Sequence, residues 1–170
     1  MKAKLKLNDW IKAQAPQGRI GNLDPVIPIG TAARLVNLSE SALRKYEAEG
    51  LIKYHRTEGN YRMLSIEDIE RLRMIKSLVK DKGLNLEGIR RLWSLIPCWE
   101  LKDCSEEIYR NCAVRLDSDQ PCWVVRSHAD ICGGTECREC AVYRFGAHCT
   151  EDLKALVHSR FCQSQSGERG

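Results

Sequence analysis

The sequence predicts a mainly α-helical fold in two parts: a winged helix-turn-helix domain, with helices and a small β-hairpin wing, and then a small loop-rich, cysteine-rich metal domain. Three observations predict it. Apolar residues recur at helical spacing between Ile29 and Ile96, with one hairpin-like interruption, and the periodicity is lost after Pro97. All nine cysteines fall beyond that proline, at Cys98, Cys104, Cys112, Cys122, Cys132, Cys137, Cys140, Cys149 and Cys162. Charge changes sign at the same place: residues 1–97 carry 18 Lys and Arg against 11 Asp and Glu, a net of +7, and residues 98–170 carry 9 against 12, a net of −3. A basic half joined to an acidic half implies that only the first meets a polyanion.

These shifts divide the chain into four. Residues 1–25 hold Lys2, Lys4, Lys6 and Lys12, then Pro16, Gly18, Gly21 and Pro25, and read as a basic, mobile tail. A short helix from Asn8 to Ala15 fits within it, and a basic arm on nucleic-acid phosphates is the sharper reading. Residues 26–97 form the first domain, residues 98–162 the cysteine-rich domain with a C-terminal helix from Thr150 to Phe161, and residues 163–170 a disordered tail. The N-terminus lacks the apolar run of a secretory leader, and no segment reaches the roughly 20 apolar residues of a spanning helix. The expected location is therefore the cytoplasm, where thiols stay reduced and clustered cysteines read as metal ligands rather than disulfides.

Within the first domain each element has a local reason. Ile29, Ala32, Ala33 and Val36 form one face of a short helix, and Val36-Asn37-Leu38 turns tightly out of it. Ser39 caps a second helix, Glu40 to Ala48, with Ala42, Leu43 and Tyr46 inward, and Gly50 closes it. Two helices joined by so short a turn make a helix-turn-helix. Leu51 to Arg56 and Tyr61 to Leu64 flank Gly59-Asn60 as a hairpin, the wing. Ser65 with Asp68 makes a capping box for a helix to about Lys80. Asn85 caps the next helix, which carries Leu86, Ile89, Leu92, Trp93 and Ile96 until Pro97 ends it.

The segments IGTAARLVNLSESALRKYEAEGLI, GNYR with Arg56 upstream, and SIEDIERLRMIKSLVKDKGLNLEGIRRL occur in the order and spacing of one family. The stretch Ile29 to Ile96 resembles the DNA-binding domain of bacterial MerR-type transcription regulators. The resemblance implies a recognition helix, Glu40 to Ala48, that presents Ser41 and Arg44 to base edges in the major groove of double-stranded DNA. In the family the positions of Arg44 and Tyr46 contact DNA, Tyr46 mainly through a phosphate. The resemblance also implies that Arg56, Tyr61 and Arg62 of the wing grip the backbone. Lys45 on the helix and Asn60 in the wing's turn are further candidates on the same elements. Family members twist DNA between promoter elements, so RNA polymerase is an indirect partner, and they act as homodimers. Two departures stand out. Leu64 replaces a usual aromatic residue, and Pro97 stops the chain where the family's long dimerisation helix would begin.

The cysteines follow C-x5-C-x7-C-x9-C-x9-C-x4-C-x2-C from Cys98 to Cys140, with two Cys-Trp pairs, Cys98-Trp99 and Cys122-Trp123. This is similar to the small two-CW cysteine-rich domain. Cys98, Cys104, Cys112, Cys122, Cys132, Cys137 and Cys140 are the candidate ligands. Thiolates of this number hold an iron–sulfur cluster, with [4Fe-4S] the favoured form, or a zinc ion as the alternative. Cys132, Cys137 and Cys140 show C-x4-C-x2-C spacing, which leaves the fourth ligand to Cys98, Cys104, Cys112 or Cys122. His128 is a further nitrogen donor, although a lone histidine is usually not a ligand. The MerR family includes a superoxide-responsive branch with four tightly spaced cysteines, an arrangement that this chain lacks. The expected function is a DNA-binding regulator sensing redox state, oxygen, nitric oxide or metal; a structural zinc, or an electron-transfer protein, are the alternatives. No Ser/His/Asp set, Gly-rich phosphate loop or paired acids suggests an enzyme.

Overall fold

Capping decides where the first helices start and stop. The computed structural model describes residues 23–96, 98–102, 104–112, 114, 119–125 and 136–146. The first helix, α1, spans Ile29–Val36 and ends at Asn37, whose φ of 51° is left-handed. Leu38 N then donates to Ala33 O at 3.0 Å, satisfying a carbonyl that the helix end leaves open. The second helix, α2, spans Glu40–Ala48, and Ser39 Oγ accepts from Ala42 N at 3.1 Å. The third, α3, spans Ile66–Lys80 behind the expected capping box: Asp68 Oδ2 accepts from Ser65 N (2.8 Å) and Ser65 Oγ from Asp68 N (3.2 Å). The fourth, α4, spans Leu86–Ser94, with Gly88 N donating to Asn85 Oδ1 at 2.7 Å.

The wing is smaller and better supported than the sequence suggests. Its strands are β2, His55–Arg56, and β3, Arg62–Leu64. A strand that the sequence reading lacked, β1 at Ile27–Pro28, pairs with the other edge of β3, giving an antiparallel sheet of order β1-β3-β2 with Ile27 opposite Leu64 and Arg56 opposite Arg62. Leu51, Ile52 and Tyr54 do not extend the hairpin as expected. They form a buried connector between α2 and β2, and their apolar character serves the core rather than a strand face.

The cysteine-rich region contains single-turn helices, too short to show a period: α5 at Cys98–Leu101, α6 at Glu106–Asn111, α7 at Cys122–Val125, a 3-10 turn at Cys137–Glu139 and α8 at Ala141–Gly146. The change in composition at Pro97 is not matched by a break in packing. Ala32, Leu43, Leu51, Leu72, Ile75, Ile89 and Trp93 share one buried cluster with Trp123, Val142, Tyr143 and Phe145. Each large apolar side chain so buried contributes about 1.5–3 kcal/mol, so the second region completes the first one's core. The basic arm, the helix expected at Asn8 to Ala15, Cys132, His128, the helix expected at Thr150 to Phe161 and the tail lie outside the described residues.

Candidate functional site

The outer face of α2 and the wing form one surface. Ser41, Arg44 and Lys45 are exposed on α2. Arg44 Nη2 donates to Glu40 Oε2 at 2.9 Å, one helical turn back. Glu47 lies one turn further along the same face, half-buried, and holds both wing arginines: Arg62 Nε at 2.7 Å and Arg56 Nη2 at 2.9 Å. One carboxylate thus fixes the wing against α2. Such pairs add little stability when exposed; their importance here is in orientation. Asn60 takes a left-handed φ of 60° at the tip, and its Oδ1 accepts from Arg56 Nη1 at 3.0 Å. Tyr61 is 72% exposed and its ring lies against Gly59, where a Cβ would stand 2.9 Å from Tyr61 Cε2. Tyr46 is only 7% exposed, its ring in the core, and burial raises its hydroxyl pKa. The sequence reading missed Glu47. Its signal was an acid at i+7 from Glu40 and i+3 from Arg44, on the face proposed to meet phosphates.

Behind this surface the cysteine-rich region grips the connector between α2 and the wing. Trp123 Nε1 donates to Gly50 O (2.9 Å), Lys53 N donates to the Tyr143 hydroxyl (2.8 Å), and Arg138 Nη2 meets His55 Nδ1 (3.2 Å). At the centre sits Arg71, 1% exposed. Its Nε donates to Leu51 O at 2.7 Å and its Nη1 to Tyr143 O at 2.6 Å, while the guanidinium carbon lies 4.2 Å from the Trp93 ring centre, 4.0 Å from Tyr143 and 5.1 Å from Trp123. Burial depresses the Arg71 pKa, and the rings and carbonyls stabilise the cation in partial compensation. Desolvation likewise raises Asp68. Arg144 forms a two-point bridge to Glu67 at 2.9 and 2.7 Å, tying α8 to the first turn of α3. A cavity of about 490 Å³ lies at this junction, with His55, Asp68, Arg71, Arg138 and Tyr143 among its walls. Arg71 was legible as an oddity: it occupies the inward face of α3, one turn before Ile75 and two before Leu78.

Six of the seven candidate metal ligands are among the described residues, as free cysteines. Cys122 is hydrogen-bonded to Cys98, and Cys137 and Cys140 are close enough to act on it electrostatically. The Cys98 hydrogen bond, then burial, then these neighbouring thiols raise the Cys122 pKa well above the usual thiol range. Cys98, Cys122 and Cys137 pack against the core that Cys140 joins. Cys112 caps the C-terminus of α6, a helix with no buried residue, and Cys104 N donates to Trp99 O at 3.1 Å. Among the described residues, no three His, Cys, Asp or Glu side chains stand ready to hold a single metal ion.

Comparison with known proteins addresses the first surface. Residues 27–95 match the family described as MerR HTH family regulatory protein. The match is to this segment, which is less than half of the chain. The protein designated HspR in Streptomyces coelicolor is 44% identical over 71 residues, covering 42% of this chain and 47% of that protein. The HTH-type transcriptional regulator GlnR of Bacillus cereus is 41% identical over 68 residues, 40% of this chain and 52% of its own. The HTH-type transcriptional regulator ZntR of Escherichia coli is 32% identical over 79 residues, 46% of this chain and 55% of its own. The chain spans about half the length of the curated relatives it matches. The matched segment contains the sheet, capped helices and wing described above, and the cysteine-rich region lies beyond the matched residues. No helix among the described residues is long and apolar enough to cross a membrane.

Proposed function

We propose that the chain is a DNA-binding transcription regulator of the MerR type, working as a homodimer on paired half-sites, whose cysteine-rich region holds an iron–sulfur cluster and reports its state to the DNA-reading face. One observation carries the DNA reading: Glu47 fixes Arg56 and Arg62 on the same side as Ser41, Arg44 and Lys45. A helix presented beside a basic hairpin fits a major groove with the wing along the adjacent backbone. The relatives described as transcriptional regulators support the same reading.

The cofactor reading rests on the donor set. Cys98, Cys122, Cys137 and Cys140 supply sulfur only, which suits iron–sulfur clusters and zinc alike. The iron–sulfur reading is preferred because its charge changes with redox state, which that of a zinc ion does not. When bound, an iron–sulfur group supplies a change of charge with redox state. The chain's own contribution is the relay: Trp123 follows Cys122, Arg138 follows Cys137, Tyr143 lies three residues after Cys140, and all three hold the connector Gly50 to His55. A shift of these cysteines therefore acts on the angle between recognition helix and wing, and the output is limited by the difference in DNA affinity between the two states.

The test is fluorescence anisotropy of the full chain on a duplex selected from a random library, against an unselected duplex, across salt concentrations. Arg44→Ala should weaken binding to the selected duplex more than to the unselected one, by about 1–3 kcal/mol. Arg62→Ala should weaken both about equally and reduce the salt slope by about 1. Salt-independent binding, or no preference for any selected duplex, would sink the assignment.

A further inference from the structure

We propose that the cavity between the cysteine-rich region and the first turn of α3 is a binding site for a small zwitterion, a molecule that carries an ammonium and a carboxylate on one carbon as a free α-amino acid does. Among the described residues, no cysteine and no residue of α2 is in its walls. The site is therefore distinct from the DNA-reading surface and from the thiols.

The cavity holds about 490 Å³, within the usual range for a small-molecule site, and like many such sites it lies where two regions meet. Ser65, Asp68 and Arg71 wall it from α3 and its cap, His55 from β2, and Arg138 and Tyr143 from the cysteine-rich region. Two of these residues carry buried charge with an unused bonding position. Asp68 is 5% exposed and Arg71 is 1% exposed. The hydrogen bonds to the Asp68 carboxylate, from Ser65 N (2.8 Å) and Ser65 Oγ (2.9 Å), both go to Oδ2; among the described residues Oδ1 accepts none. Arg71 directs Nε to Leu51 O and Nη1 to Tyr143 O, and its Nη2 is buried with no partner among the described residues. Folded proteins rarely leave buried polar groups unmet, so two of them in the walls of one cavity point to a ligand.

The charges in the walls decide what that ligand carries. Arg144 is matched by Glu67 and Arg138 by Glu136. The two groups with an unused position have opposite sign, and among the described residues no ion pair joins them. They stand at i and i+3 on the buried side of α3, where Cβ atoms are about 5–6 Å apart. An ammonium serves the Asp68 carboxylate and a carboxylate serves the Arg71 guanidinium, each through a charge-assisted hydrogen bond. A simple cation leaves Arg71 unserved, and a simple anion meets the like charge of Asp68. Two opposite charges held one carbon apart fit both groups at once.

The experiment titrates the full chain, without DNA, with each of the common free α-amino acids by isothermal titration calorimetry. Any that binds is then compared with its N-acetylated form, which lacks the ammonium, and its carboxamide form, which lacks the carboxylate. Expected is saturable binding of at least one free amino acid, weakened about ten-fold or more by either cap, since stranding one partner of a buried charge pair costs at least that much. Asp68→Asn keeps an oxygen for the Ser65 cap and removes the charge. It should weaken the free amino acid about ten-fold or more and leave the N-acetylated form unaffected, with urea unfolding to confirm that the variant folds. The capped ligands act on unmodified protein, so they decide the matter even where the variant fails to fold. Absence of saturable binding by any of the amino acids, full affinity of either capped form, or full affinity in folded Asp68→Asn overturns the proposal. With no DNA in the cell, the outcome is independent of whether the chain reads DNA.

Discussion

Tyr143→Phe isolates the bond between the two regions by deleting a single oxygen. The Tyr143 hydroxyl accepts Lys53 N–H at 2.8 Å across 90 residues of sequence, and the ring is 4% exposed. Phenylalanine keeps the ring beside Arg71 and Trp123, so packing and the cation–ring contact survive. What is lost is the acceptor, and Lys53 N–H is left without a partner. A buried donor so stranded costs about 1–3 kcal/mol, and because Lys53 is only half-buried the lower half of that range applies. In a chain of this length about 1–1.5 kcal/mol lowers the Tm by roughly 2–6 °C. Burial pushes the Tyr143 pKa up to about 12, so the hydroxyl is neutral at any ordinary pH and the deficit should be constant from neutral to mildly alkaline buffer. Urea unfolding followed by tryptophan fluorescence gives the stability, and native-state hydrogen exchange gives protection of the Lys53 amide. A change below about 0.3 kcal/mol with unaltered Lys53 protection would refute the claim that this bond fastens the connector.

Two further outcomes follow from the surface and the connector. Glu47→Gln removes the carboxylate that holds Arg56 and Arg62, freeing both cations for phosphates; binding to unselected duplex should tighten several-fold while the preference for the selected duplex falls, as read by anisotropy. Weaker binding to both duplexes would show that the clamp, not the freed charge, dominates. Gly50→Ala places a side chain at a φ of +72° with its Cβ 2.5 Å from Val124 Cγ2. The backbone alone costs about 1–2 kcal/mol, and the clash adds to it, so thermal unfolding should show a larger loss that Val124→Ala restores in part but not in full.

Much of the first domain was readable because its instructions are local. Ser39, Ser65 and Asn85 each cap the helix that follows them, and the helices Glu40–Ala48 and Ile66–Lys80 have the expected limits. The exposed positions of Ser41, Arg44, Lys45 and Tyr61 follow from the same periodicity. What was not readable depends on distant partners. Leu51, Ile52 and Tyr54 read as strand because apolar alternation does not say what covers it; here the cover includes Trp123 and Tyr143, some 70 and 90 residues away. Ile27–Pro28 is too short to announce a strand, and it becomes one only because β3 offers an edge. The single-turn helices around the cysteines are below the length at which a period exists. Arg71 and Glu47 were visible as residues but not as organisers, because their partners lie in other elements.

The shared core has a consequence for how this molecule can be divided. A fragment cut at Pro97 would present Trp93, Leu51 and the Arg71 guanidinium to water, with the two backbone carbonyls of that arginine reduced to one. The helix-turn-helix segment is therefore no detachable module carrying a passenger. Its stability is borrowed from the thiol-bearing stretch, and damage there is felt as loosening of that segment itself.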